Sequence, residues 1–180
     1  MDFKIHAPNT SPAFKTEQAR LLANDYKNGI DAPEEIVSIV KEMTFQFLEL
    51  SSLEALARLE PYVGELKLPD TTPKEWIGPC LCLYGFHVLD SCNEGIIRVR
   101  TRLFDGPVED PATGSAASAL GGYLASKKGK GVWQIEVEQG VEMGRRSKIG
   151  VEVTIGEELQ VQKIKLSGEA VDVMEGRLQI

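Results

Sequence analysis

Pro111-Ala112-Thr113-Gly114-Ser115-Ala116-Ala117-Ser118-Ala119-Leu120-Gly121-Gly122-Tyr123-Leu124-Ala125-Ser126 carries no charge and sets small residues on every side. A helix without a polar face is buried all round. Pro111 suits a first helical turn, because the amide hydrogen it lacks would have had no partner there. The stretch therefore predicts a central helix over about 112–127. Gly121 and Gly122 would each cost that helix roughly 1 kcal/mol relative to Ala. Their presence predicts that other parts of the chain come very close to it.

The flanking sequence supplies a sheet. Ile97-Arg98-Val99-Arg100-Thr101-Arg102-Leu103 alternates strictly, with Arg98, Arg100 and Arg102 on one face and Ile97, Val99 and Leu103 on the other. Trp133–Glu138, Ile149–Ile155 and Leu159–Val161 repeat the pattern, punctuated by Gly140, Gly144, Gly156 and Gly168. At Gln162-Lys163 the alternation slips, which predicts a bulge or bend. The arginine face could attract an anion, but on such a strand a solvated or salt-bridged face is the commoner outcome. Together these segments predict an α+β fold: a curved antiparallel sheet, or barrel, wrapped around one central helix.

Three further helices are expected in the first third. Thr16–Ala23 starts on a Thr cap and ends near Asn28-Gly29, where glycine closes a helix. Pro33–Val40 opens with proline and two acids, which face the partial positive charge of a helix start. Ser51-Ser52-Leu53-Glu54 has capping-box spacing ahead of Ala55–Leu59.

The 180 residues, 42% of them apolar, suffice for one core without disulfides. A first segment, 1–12, reads as an N-terminal remnant or linker and 13–180 as a single domain. Net charge is −7 and no basic stripe is present, which excludes a nucleic-acid partner. Cys80, Cys82 and Cys92 are a sparse, odd set, in keeping with a reducing, cytoplasmic setting. Cys80-x-Cys82 lacks companion ligands for a metal, so buried structural thiols are expected. The start has no signal-like pattern, and the uncharged stretches are too short to span a bilayer.

The start of the predicted helix could do chemistry. Thr113-Gly114-Ser115 offers backbone amides and two hydroxyls at a positive helix end, and glycine lets a ligand approach the main chain. An anionic group of a substrate could sit there. Equally, Asp110 or Thr113 could serve only as an N-cap.

Glu109-Asp110-Pro111-Ala112-Thr113-Gly114-Ser115-Ala116 resembles the signature of the PhzF family of phenazine-biosynthesis-like isomerases, which have the diaminopimelate epimerase-like fold. Arg100–Phe104 resembles the strand leading into it, and Gln139–Ser147 is similar to the family's Gly-Arg loop, with Arg146 where proline is commoner. The resemblance implies two similar domains with an active site between their central helices, of which this chain matches the C-terminal one. It implies proton transfer without cofactor or metal on a small carboxylate-bearing metabolite of a biosynthetic pathway. Asp110 would face the cleft as the catalytic residue, while Thr113, Gly114, Ser115 and Arg145 would bind substrate. Such chemistry needs a carboxyl tuned by desolvation so that it both takes and returns a proton. The family's Gly-Asn-Pro glutamate and Gly-His pair have no counterpart here, and His6 and His87 read as structural or surface residues. A non-catalytic binding or assembly protein, or a truncated half of an enzyme, is the alternative reading. Either way a homodimer, or association with an N-terminal half, is expected, because a lone half exposes an apolar face.

Overall fold

Inward-pointing apolar residues on successive strands need a partner surface, and the uncharged helix supplies it. The computed structural model describes residues 2–9, 15, 17–62, 64, 66–78, 80–91, 96–170 and 174–177. Among these residues nine strands form one sheet: β1 (Lys4–Ile5), β2 (Ile36–Val40), β3 (Met43–Glu49), β4 (Cys80–Ser91), β5 (Ile96–Asp105), β6 (Val108–Asp110), β7 (Gly131–Gln139), β8 (Ser147–Ile155) and β9 (Val161–Gly168). The order is β1-β2-β3-β4-β5-β7-β8-β9, with β6 folded back on β5. The central helix, α2 (Gly114–Ser126), touches β2 and β3 on one side and β7, β8 and β9 on the other, so the sheet curls around it. Within the first twelve residues, Lys4 and Ile5 pair with Ser38 and Val37 as an edge strand.

Most of α2 is buried, from Ala116 to Tyr123 without interruption. Phe45, Phe47, Tyr84, Phe86, Val99, Ile135, Val137, Val151 and Val153 close around it. The two helix glycines mark the expected close approaches. A Cβ on Gly121 would lie 2.8 Å from Val151 Cγ1, and one on Gly122 2.5 Å from the Phe3 ring.

A second, smaller cluster covers the convex face. Leu48, Leu83 and Phe104 meet Ala55, Leu56 and Leu59 of a short helix, α1 (Leu53–Arg58). Its cap is Ser52, whose Oγ accepts from Ala55 N at 3.1 Å, one residue later than the expected Ser51. Ser51 is occupied elsewhere, donating to Asn24 O at 3.0 Å.

Other expectations are corrected. Residues 17–29 form turns and one 3-10 turn, Ala23–Asp25, in place of a helix; the expected cap, Thr16, lies outside the described residues. Asp25 accounts for this, since its carboxylate accepts from Leu22 N at 2.7 Å and from Arg58 at 2.6 Å, drawing the segment onto α1. Pro33–Val40 contributes strand β2, where Ile36, Val37 and Ser38 are all fully buried, on both faces of the sheet. A continuous apolar run of this kind fits a covered strand as well as a helix. Two pairings, β3 with β4 and β5 with β7, are parallel, where an antiparallel sheet was expected. The bulge is present: Thr154 pairs with Lys163 and Ile155 with Val161, leaving Gln162 unpaired.

Candidate functional site

One edge of β5 carries two different neighbours. Leu103 pairs with Asp110 at the end of antiparallel β6, and Thr101 pairs with Gln139 at the end of parallel β7. The two strand ends therefore meet just below the start of α2. Period two along Ile135, Val137 and Gln139 sends the Gln139 side chain to the core face, where it is wholly buried.

There Gln139 is fully engaged. Its Nε2 donates to Asp110 O at 2.7 Å and to Thr113 Oγ1 at 3.0 Å. Its Oε1 accepts from Thr113 N at 3.4 Å and from the Tyr84 hydroxyl at 3.2 Å. Tyr84 OH also lies 3.1 Å from Thr101 Oγ1. Burial pushes the Tyr84 hydroxyl well above the ordinary tyrosine range, so it keeps its proton.

Asp110, Thr113, Gly114 and Ser115 form one continuous turn into α2. Asp110 Oδ2 accepts from Thr113 Oγ1 at 2.6 Å, and Oδ1 accepts from Ala112 N at 3.2 Å. Thr113 stands at the N-cap position with no side-chain cap bond to the helix. The first amide to find a helical acceptor is Ala117 N, bonded to Thr113 O at 3.0 Å. The amides of Gly114, Ser115 and Ala116 precede it, as at any helix start. Beside Gly114 opens a hollow of about 670 Å³, lined by Ala112, Arg146, Lys148, Leu166 and Ser167 among others.

Arg145 stands apart from that turn. Its side chain is exposed and makes no ion pair among the described residues, although its N–H donates to Gly140 O at 2.8 Å. Gly140 has φ +74°, and a Cβ on it would lie 2.5 Å from Arg145 O and 2.8 Å from Pro111 O. The loop backbone thus rests directly on the turn, while Arg146 and Lys148 line the hollow.

The arginine face is salt-bridged. Arg98 pairs with Glu136 at 2.7 Å, and Arg100 with Glu138 and Glu142. Burial would raise the Glu138 carboxyl, but Arg146 and Arg100 hold it below its ordinary value. Arg102 is buried, clamps Glu109 through two 2.8 Å bonds, and donates to Leu56 O, Ala57 O and Leu59 O at the end of α1.

Neither histidine reaches the turn. His6 Nε2 lies 2.8 Å from Ser38 Oγ, and His87 Nδ1 lies 2.8 Å from Leu50 O. Cys82 is a buried thiol; the Cys80 side chain and Cys92 lie outside the described residues. Arg102 follows the salt-bridged outcome expected for its face, while Gln139 is a contributor that the sequence reading does not name. The available signal for Gln139 was a polar residue in an inward register on β7.

A model of the phenazine biosynthesis-like protein family matches residues 3–176. The chain belongs to this PhzC-PhzF family. An uncharacterized isomerase of Mesorhizobium japonicum is 42% identical over 74 residues, covering 40% of this chain and 24% of that protein. An uncharacterized isomerase of Clostridium acetobutylicum is 31% identical over 136 residues, covering 72% and 42% respectively. The chain thus spans less than half the length of these curated relatives. The crystal structure of a Bacillus anthracis phenazine biosynthesis protein of the PhzF family superposes with a TM-score of 0.71 at 22% identity, over 100% of this chain and 59% of that one. This likeness shows the fold: a curled sheet around a central helix. No helix among the described residues is long and apolar enough to cross a membrane.

Proposed function

We propose that this chain forms one wall of an isomerase site that moves a proton, without cofactor, on a small carboxylate-bearing metabolite. The observation that carries the reading is the Asp110 carboxylate held beside the first-turn amides of α2, which receive no cap bond from the Thr113 side chain, within the family signature. Amides and a positive helix end suit a substrate carboxylate, and Asp110 polarises or positions the reacting centre. Arg145, exposed on the loop above, serves as a second anion contact, and Lys148 at the hollow is a further candidate. A second wall completes the cleft, supplied by an N-terminal half or by a second copy of this chain.

The test is solvent label. The purified chain and its Asp110→Asn variant are incubated in deuterated water with small carboxylic acids bearing an acidic C–H next to the carboxylate. Uptake by the wild type and a loss of about a hundredfold in the variant is the expected result, the usual scale for one acid–base or electrostatic group. Absence of uptake in both argues against catalysis by this chain alone. Solution mass tests the second wall: a strict monomer counts against pairing of two copies.

A binding or assembly protein without chemistry is the second reading. It is favoured by the placement of both histidines away from the turn and by the internal bonds on both Asp110 oxygens. A ligand-dependent rise in Tm without label uptake supports it.

A further inference from the structure

We infer that Gln139 is a positioning residue that fixes which way the Thr113 hydroxyl points and thereby locks the Asp110 side chain in one orientation. The role rests on Asp110 being the cleft carboxylate of the reading above. The direction of each bond follows from groups whose polarity is fixed. Asp110 O can only accept and Thr113 N can only donate, so the Gln139 amide has one allowed orientation, with Nε2 toward the carbonyl at 2.7 Å and Oε1 toward the amide at 3.4 Å. Nε2 can only donate, so Thr113 Oγ1, 3.0 Å away, accepts from it and must turn its own proton elsewhere. The acceptor within reach is Asp110 Oδ2 at 2.6 Å.

The bonded chain continues deeper into the core. Gln139 Oε1 only accepts, so Tyr84 OH donates toward it at 3.2 Å, sharing its proton with Thr101 Oγ1 at 3.1 Å. Tyr84, Thr101 and Gln139 are each fully buried, which shields these bonds from bulk solvent. A short, uncharged chain of bonds therefore runs from the middle of the sheet to the carboxylate, and from Gln139 outward each donor has its acceptor.

The experiment reads Asp110 itself rather than turnover. Three-bond couplings from the Asp110 backbone nitrogen and carbonyl carbon to its Cγ, measured by NMR on labelled protein, report whether χ1 occupies one rotamer or several. The wild type should show one rotamer. Gln139→Leu and Thr113→Val should each show averaged couplings, and the double variant should be no more averaged than either single one, because both remove the same link. Val151→Ala, a core change away from the turn, should lower Tm while leaving the couplings as in the wild type. Should Gln139→Leu fail to fold, Tyr84→Phe keeps the test open: removing the hydroxyl frees Gln139 Oε1 and should give partial averaging. A single Asp110 rotamer retained in Thr113→Val and in whichever core variant folds would overturn the inference, as would averaging in Val151→Ala. Since no substrate is involved, a failure here leaves the isomerase reading standing, and absent label uptake leaves this inference standing.

Discussion

Gln139, Tyr84 and Thr101 beneath the start of α2, and His6, Ser38 and Thr44 at the β1–β3 edge, are both buried polar clusters, yet only the second contains an imidazole. His6 Nε2 lies 2.8 Å from Ser38 Oγ, which lies 2.6 Å from Thr44 Oγ1, with the Trp76 ring edge-on to the imidazole. Burial and the nearby Lys4 hold the His6 pKa below its ordinary 6.5. The first cluster has no charge to gain across the physiological range and ends on the backbone and hydroxyl of the candidate turn. The second can gain a charge and ends in the sheet. Neutral, saturated bonds fix a geometry at any pH, whereas a buried imidazole makes the fold itself respond to pH.

The largest expected effect breaks the first cluster from above. Gly140→Ala adds a Cβ within 2.5 Å of Arg145 O and 2.8 Å of Pro111 O, both backbone, at a φ of +74°. Overpacking and the left-handed backbone together should cost about 4 kcal/mol, read by denaturant unfolding. A loss below about 1 kcal/mol would mean that the loop does not rest on the turn.

The next effect separates the clusters by pH. In the folded state His6 takes up its proton only at lower pH, so between 6.5 and that lower value the unfolded chain binds more protons. Stability should fall as pH drops through this window, relative to His6→Gln, and the two proteins should run parallel above it. Glu34 works in the opposite sense. Burial lifts its pKa from 4.5 to about 7, despite the buried Lys15 beside it. Between those values the folded chain binds the extra proton, so stability falls as pH rises through the window, a slope that Glu34→Gln should remove. Gln139→Leu should leave both slopes untouched.

The smallest effect is expected at His87, half-buried and bonded only to Leu50 O among the described residues. His87→Ala should cost about 1 kcal/mol, the net worth of one such bond, as read by Tm.

Much of this architecture is legible in the sequence where the signal is local. Strict alternation marks β5, β7 and β8, and the uncharged run marks α2, because one covered face or none leaves a periodic trace. Strand β2 leaves no such trace, since Ile36, Val37 and Ser38 are all buried. Of the site, the Asp110–Ser115 turn can be read directly because its bonds span two or three residues. Gln139 meets that turn from 26 and 29 residues away, through the parallel pairing of β5 with β7. No periodicity announces a parallel register between distant strands, so only an inward-facing polar residue hints at it.

Arg102 ties together pieces that stand far apart along the chain: its five donor contacts join Glu109, beside the candidate turn, to the last carbonyls of α1. A lysine offers a point charge on a flexible stem and cannot reproduce that fork. In terms of inheritance, residues 102 and 109 and the end of α1 form a single heritable unit. Among relatives that retain α1, the arginine and the glutamate are expected to be kept or lost together, so a lineage that sheds the short helix loses with it the anchor of its own signature strand.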